Sequence, residues 1–333
     1  MVGQRSIAVL GAGSWGTALA LVLARNGLRV GLWGLPEDIS RLTRDRENRR
    51  YLPGIPFPEN LLPDDRLERV VAEADDILLA VPSAAFSLVL QQLSSLVDPD
   101  QAICWATKGL DPASGGLLSF VVSDLLGPRP MAVLSGPTFA KEVAAGLPTA
   151  MTVAATDQSY ADRIADYLHC DCFRAYTAGD IIGVQVGGAA KNIMAIGAGI
   201  SDGLGFGANA RAALITRGLA EIIRLGVAMG AERETFMGLT GLGDLVLTCT
   251  DDQSRNRRMG LALARGLSVE QAKSEIGQSV EGVGAAKVIR QNAQQYAVDM
   301  PITEQIYRVL HADLDAREAV TNLLDRSKKS EFS

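Results

Sequence analysis

Two histidines among 333 residues are few, and neither His169 nor His311 lies in a glycine-rich or polar constellation. Histidine acid–base chemistry is therefore disfavoured, and any proton-transfer group must be sought among other side chains. Cysteine is nearly as scarce. Cys104, Cys170, Cys172 and Cys249 show no CxxC and no zinc spacing, so they read as reduced thiols, and no metal site is expected. An excess of basic residues is also missing. The net charge of −6 argues against a general binder of nucleic acid or anionic membrane, so an anionic ligand would need a local basic cluster. No signal-peptide region precedes the first strand, and a cytoplasmic location is expected. Flexible linkers and low-complexity segments are lacking too. What remains is 47% apolar and 21% charged, an ordinary soluble composition on a chain long enough for two domains.

Against these absences stands one long apolar stretch. Between Asp180 and Asp202 there is no proline, and Lys191 is the only charged side chain. The run suffices for roughly five to six helical turns. A membrane span would need roughly 20 such residues, but Gln185, Lys191, Asn192 and five glycines favour a buried helix of a soluble protein. On a helix, Gly187, Gly188, Met194 and Ala195 are the three- and four-residue neighbours of Lys191. The small ones would let another backbone or a flat ligand approach the amine. A buried ammonium is costly without compensation, so Lys191 is either half of a structural ion pair or a functional group.

Ser6–Leu10 reads as a strand running into Gly11-Ala12-Gly13-Ser14-Trp15-Gly16, followed by a helical pattern to Gly27 and a second strand at Arg29–Trp33. In this βαβ context the glycines permit a tight turn and close approach of a dinucleotide pyrophosphate to a helix N-terminus. The acidic residue usual at the end of the second strand is missing. Trp33-Gly34-Leu35-Pro36 offers no carboxylate before Glu37, and Arg41, Arg44 and Arg46 follow. These arginines are either partners for a 2′-phosphate or a solvated helix face. Tyr51–Pro63 reads as a proline-punctuated connection. Asp75–Pro82 and Ala102–Leu110 read as buried parallel strands whose carboxyl ends carry Ser83 and Lys108. Met131–Val143 repeats the pattern with a Gly136-Pro137-Thr138 turn, and TAMTVAAT and CFRAYT complete the sheet.

Strand signals end near residue 180, which divides an α/β Rossmann-type dinucleotide domain (1–180) from an all-helical domain (181–333), an arrangement that resembles the 6-phosphogluconate dehydrogenase-like fold. Ligands commonly bind between such domains. With no suitable histidine, Lys191 is the best candidate acid/base, its pKa lowered by burial or by cations such as Lys108 and Arg255. Asp244 either orients this lysine or caps a helix before LVLT. Ser254-Arg255-Asn256 offers a hydroxyl, a guanidinium fork and an amide, which suit a phosphate or carboxylate better than a surface turn.

The motifs GAGSWGTALA, RYLPGIPFPENL, WATKGL, SGPTFAKEVAAGLPTA, GGAAKNIMAIGAGISDGLGFGANARAALITRG, GLGDLVLTCT and SRNRR together resemble the bacterial NAD(P)-dependent glycerol-3-phosphate dehydrogenases over nearly the whole chain. The resemblance implies interconversion of sn-glycerol 3-phosphate and dihydroxyacetone phosphate with NAD(P), feeding glycerophospholipid synthesis. It implies Lys191 as catalytic acid/base, and Lys108, Gly136, Thr138, Lys191, Asp244, Ser254, Arg255 and Asn256 around a small phosphorylated substrate. It further implies Gly11, Gly13, Ser14, Trp15, Gly16, Lys108, Ala140, Arg255 and Glu281 around the cofactor. Oligomeric state is left open, a homodimer included. Similar proteins carry Arg or His two positions after the strand-two Trp, then Asx-Pro-Glu; here Gly34-Leu35-Pro36-Glu37 is one residue shorter, which leaves the NADP-versus-NAD preference open. A ketoacid reductase or 6-phosphogluconate-type enzyme would need a larger or carboxylate substrate. A non-catalytic redox sensor would need neither Lys191 nor the SRN cluster.

Overall fold

The computed structural model describes residues 5–99 and 101–325. Short apolar runs interrupted by turn residues form one eight-stranded sheet: β1 (Ser6–Leu10), β2 (Arg29–Trp33), β3 (Leu61–Asp64), β4 (Asp76–Leu79), β5 (Ile103–Trp105), β6 (Met131–Ser135), β7 (Thr149–Ala155) and β8 (Phe173–Ala178). The strand order is β3-β2-β1-β4-β5-β6-β7-β8. The first six are parallel, in the doubly wound order that places ligands at the carboxyl ends of strands near the β1/β4 switch point. Helices α1 (Ser14–Arg25), α2 (Pro36–Asp45), α3 (Leu67–Ala72), α4 (Ser83–Leu93), α5 (Leu118–Leu126), α6 (Ala140–Ala145) and α7 (Gln158–Leu168) accompany the sheet, and a separate apolar cluster packs on each of its faces.

Two expectations need correction, and a third gains a direction that the sequence left open. The Tyr51–Pro63 connection contains most of β3, which pairs with β2 in the register Val30↔Leu61. Its Pro63 is tolerated because β3 is an edge strand, with no second neighbour needing the missing N–H. The Ala102–Leu110 strand shrinks to the three residues Ile103–Trp105, and Thr107 to Leu110 form the exit loop instead. The TAMTVAAT strand does join the sheet, but antiparallel to β6, with β8 then parallel to β7.

After β8, every element is helical: α8 (Ile181–Gly203), α9 (Gly207–Ala228), a short tight helix at Arg233–Met237 and a wide turn at Leu239–Gly243, then α10 (Asp244–Thr250), α11 (Arg255–Ala264), α12 (Val269–Ile276), α13 (Glu281–Gln295), α14 (Pro301–His311) and α15 (Ala316–Leu324). The helices expected to run to the chain end are described only to this point, and 326–333 lie outside the described residues.

The α8 helix starts where the sequence implies. Asp180 accepts from the Gly183 amide at 2.8 Å as its N-cap, and also binds the Glu232 amide and the Thr235 hydroxyl. By length and composition α8 could cross a membrane, but 89% of its most apolar window is buried inside the fold, where it forms the spine of the helical half. Its glycines make this possible. A Cβ on Gly187 would lie 3.0 Å from the Thr240 carbonyl, and one on Gly199 would overlap the Arg257 carbonyl. Backbones of neighbouring segments therefore lie directly on α8, as the small residues flanking Lys191 led one to expect.

Candidate active site

Lys191 lies midway along α8 with its side chain only 7% exposed. Its ammonium donates to Asp244 Oδ1 and, at 3.0 Å, to Thr248 Oγ1. The second oxygen of the same carboxylate accepts from Lys108 Nζ at 2.7 Å, and Lys108 also donates to the Gly136 carbonyl at 2.9 Å. One fully buried aspartate thus bridges two lysines that come from opposite halves of the chain. Local structure sets each position. Lys108 leaves the carboxyl end of β5, and Gly136 follows β6, where a Cβ would press on the backbone of Met151 and Ala150. Asp244 opens α10 directly after the wide helical turn at Leu239–Gly243, a type of irregularity common at functional sites. The expectation that Asp244 might cap α10 is overturned. Gly243 is the N-cap, and the Asp244 side chain is committed to the lysines.

Electrostatics makes this lysine unusual. Burial pushes the Lys191 pKa from the ordinary 10.5 down to about 7, with Asp244 pulling it up and Lys108 pushing it further down. Arg255, anticipated as a second depressing cation, is not among its influences. An amine poised near neutrality can accept or release a proton at working pH, which an ordinary lysine cannot do.

The glycine turn forms as the βαβ pattern requires. Gly11 has φ of 122°, and a Cβ there would lie 2.8 Å from the Ala80 carbonyl, so the exit of β1 packs directly on the exit of β4. A Cβ on Gly16 would overlap the Gly11 carbonyl, whereas Gly13 faces open space. Among the described residues no side chain caps α1, and none is a hydrogen-bond partner of the buried Trp15 Nε1. Together these leave an uncovered helix N-terminus beside a bare backbone, which fits a dinucleotide pyrophosphate.

The third group comes from α11 and α13. Ser254 caps α11 by accepting from the Arg257 amide at 3.2 Å. Asn256 donates to Asn192 Oδ1 at 2.8 Å and accepts from the Gly282 amide at 2.9 Å, which ties α11 and α13 to α8 one residue beyond Lys191. Glu281 accepts from Ser83 Oγ at 2.7 Å, joining the helical half to the exit of β4. Among the described residues no hydrogen bond holds the Arg255 guanidinium. Burial lowers its pKa while Glu281 acts in the opposite sense.

Comparison with known proteins decides the kinship. A model of the NAD-dependent glycerol-3-phosphate dehydrogenase N-terminus matches residues 6–161, and one of the corresponding C-terminus matches residues 180–321. The chain belongs to the NAD-dependent glycerol-3-phosphate dehydrogenase family. It is 56% identical to the glycerol-3-phosphate dehydrogenase [NAD(P)+] of Shigella boydii over 98% of each chain. It is also similar to the solved glycerol-3-phosphate dehydrogenase of Coxiella burnetii, with 49% identity, a TM-score of 0.95, and coverage of 97% of this chain and 99% of that one. The enzyme of Saccharomyces cerevisiae is more distant, at 27% identity and a TM-score of 0.83 over 97% and 100% of the two chains.

Of the residues singled out from the sequence, this family member brings together Lys108, Gly136, Lys191 and Asp244 by direct hydrogen bonds. Thr138 joins them through the Gly136 carbonyl at 3.3 Å. Ser254, Asn256 and Glu281 form the adjoining layer around α8, with Arg255 beside Glu281. Ala140, like Trp15, is partly buried and packs against the apolar cluster of the sheet side. Sequence reasoning missed Thr248, Asn192 and Ser135. Thr248 was findable, since it lies four residues after Asp244 on one helix face. Ser135 is 1% exposed, and among the described residues its hydroxyl has no hydrogen-bond partner. It faces Gly188, where a Cβ would be 3.2 Å away, and nothing in the sequence marks it.

Proposed function

We propose that this chain interconverts sn-glycerol 3-phosphate and dihydroxyacetone phosphate with NAD(H) or NADP(H), and that Lys191 transfers the proton. The observation that carries the assignment to Lys191 is the buried Lys191–Asp244–Lys108 bridge, in which desolvation holds the amine near neutrality. The nicotinamide cofactor, when bound at the glycine turn, supplies or accepts the hydride. Neutral Lys191 takes the proton of the C2 hydroxyl as glycerol phosphate is oxidised, and its ammonium returns a proton to the ketone oxygen in reduction. Asp244 fixes the direction of the amine, assisted by Thr248. Lys108 and Arg255 are the cations available to the phosphate, with Thr138, Ser254 and Asn256 as neutral donors. Ser14, Trp15, Ala140 and Glu281 are assigned to the cofactor side, with the functional division of the chain at Asp180. The reductive direction would provide glycerol 3-phosphate for phospholipid synthesis in the cytoplasm.

The test is oxidation of NADH or NADPH by dihydroxyacetone phosphate, with the wild type and Lys191→Ala. The variant should bind cofactor normally and lose about 10²–10⁴ in kcat, the usual scale for a general acid/base. Unchanged kcat would end the assignment of Lys191. No turnover by the wild type would end the activity itself.

A further inference from the structure

The segment following β2 approaches the glycine turn closely. A Cβ on Gly34 would lie 2.7 Å from the Ala12 Cβ, so the start of α2 rests against the turn. Asn48 fixes the far side by donating to the Ala12 carbonyl at 3.2 Å and to Thr17 Oγ1 at 2.8 Å. Between them lies a small cleft walled by Ala12, Asp38, Arg41, Asn48, Arg50 and Tyr51. In a βαβ nucleotide unit the adenosine ribose lies between the glycine turn and the end of the second strand, where this cleft is.

Asp45, Glu47 and Arg49 also line the cleft. Asp45 pairs with Arg44 and Arg49, and Glu47 faces Arg49 and accepts from the Gly54 amide, which leaves Asp38 as the carboxylate set between two guanidiniums. Asp38 accepts a hydrogen bond from Arg41 and lies 3.6 Å from Arg50 Nη1. Arg50 is steadied by the Tyr51 ring, 5.0 Å beneath its guanidinium. The other two arginines noted in the sequence are occupied elsewhere. Arg44 pairs with Asp45, and Arg46 donates to the Pro58 and Leu61 carbonyls.

We infer that Asp38, Arg41 and Arg50 form the subsite for the adenosine 2′-substituent, with Asp38 supplying from α2 the carboxylate that the end of β2 lacks. A 2′-hydroxyl hydrogen-bonds to Asp38. A 2′-phosphate instead replaces Asp38 as the partner of the two guanidiniums. Asp38 therefore acts as an internal competitor that keeps a 2′-phosphate from being strongly preferred. The assignment rests on the dinucleotide reading above, so its test uses ligands without a nicotinamide and measures binding alone.

Calorimetric titration of the full chain with 5′-AMP and with 2′,5′-ADP reports the ratio of the two dissociation constants. Asp38→Asn should tighten 2′,5′-ADP by about 10-fold while leaving 5′-AMP within about threefold, the lower end for charge-assisted contacts at half-exposed side chains. Arg41→Ala with Arg50→Ala should weaken 2′,5′-ADP by about 10-fold or more, again with 5′-AMP little changed. A ratio that neither variant moves, or equal weakening of both ligands by the arginine pair, would overturn this subsite alone. Failure of the wild type to bind either ligand would overturn the dinucleotide reading together with it.

Discussion

Asp244→Asn is the substitution that most directly tests how the site holds its lysine. The carboxylate is fully buried and shared by Lys191 and Lys108, and an asparagine amide can accept from only one of them while presenting N–H groups to the other. Removing one partner from a buried ion pair costs about 3–5 kcal/mol. The cost should depend on pH. In the wild type the folded-state pKa of Lys191, about 7, lies below its unfolded value. The unfolded chain therefore binds the proton more tightly between about 7 and about 10, and stability from this group rises with pH through that window. Without Asp244 the influence that raises the pKa is gone, so the folded-state value falls further and the window extends toward acid. Destabilisation should be larger at pH 6, where the wild-type ammonium is charged and paired, than at pH 9, where the amine is neutral in both proteins. Catalysis should shift the same way. The rising limb of kcat/KM for glycerol phosphate oxidation, centred near 7 in the wild type, should move to lower pH while the plateau falls. Thermal unfolding at several pH values and a pH–rate profile check both limbs. A limb that stays in place, or a stability loss equal at pH 6 and pH 9, would refute the coupling of Asp244 to Lys191.

Two other substitutions test the layer around α8. Arg255→Ala should raise KM for glycerol 3-phosphate by about 10-fold or more and leave the melting temperature nearly unchanged, because no hydrogen bond to a described residue is lost. Glycerol itself should remain a very poor substrate throughout, and comparable use of glycerol and its phosphate would remove the phosphate-site reading. Gly260→Ala would place a Cβ on the Ile196 carbonyl where α11 crosses α8, which should cost about 1–3 kcal/mol. The same wedge displaces the start of α11, so KM should rise together with the loss of thermal stability. A variant with the wild-type melting temperature would refute the argument that the α8–α11 crossing has no room for a Cβ.

Sequence by itself determined the features whose physics is local. The glycine turn is legible because tight backbone geometry restricts which residues can occupy it over six consecutive positions. The α8 helix is legible because an uninterrupted apolar run capped by Asp180 has few other ways to bury itself, and Lys191 stands out as the only charge between Asp180 and Asp202. Tertiary structure alone decided what depends on distant partners. Lys191 meets Asp244 across 53 residues and Lys108 meets Asp244 across 136, and no spacing rule specifies such a bridge before the chain has folded. The same holds for β3, acceptable as a strand despite Pro63 only because it ends at the sheet edge, and for the reversed β7. Asp38 looks like an ordinary first-turn acid of α2. Only the contact of Gly34 with the glycine turn brings it to a cleft, because a side chain's role depends on what long-range packing sets opposite it.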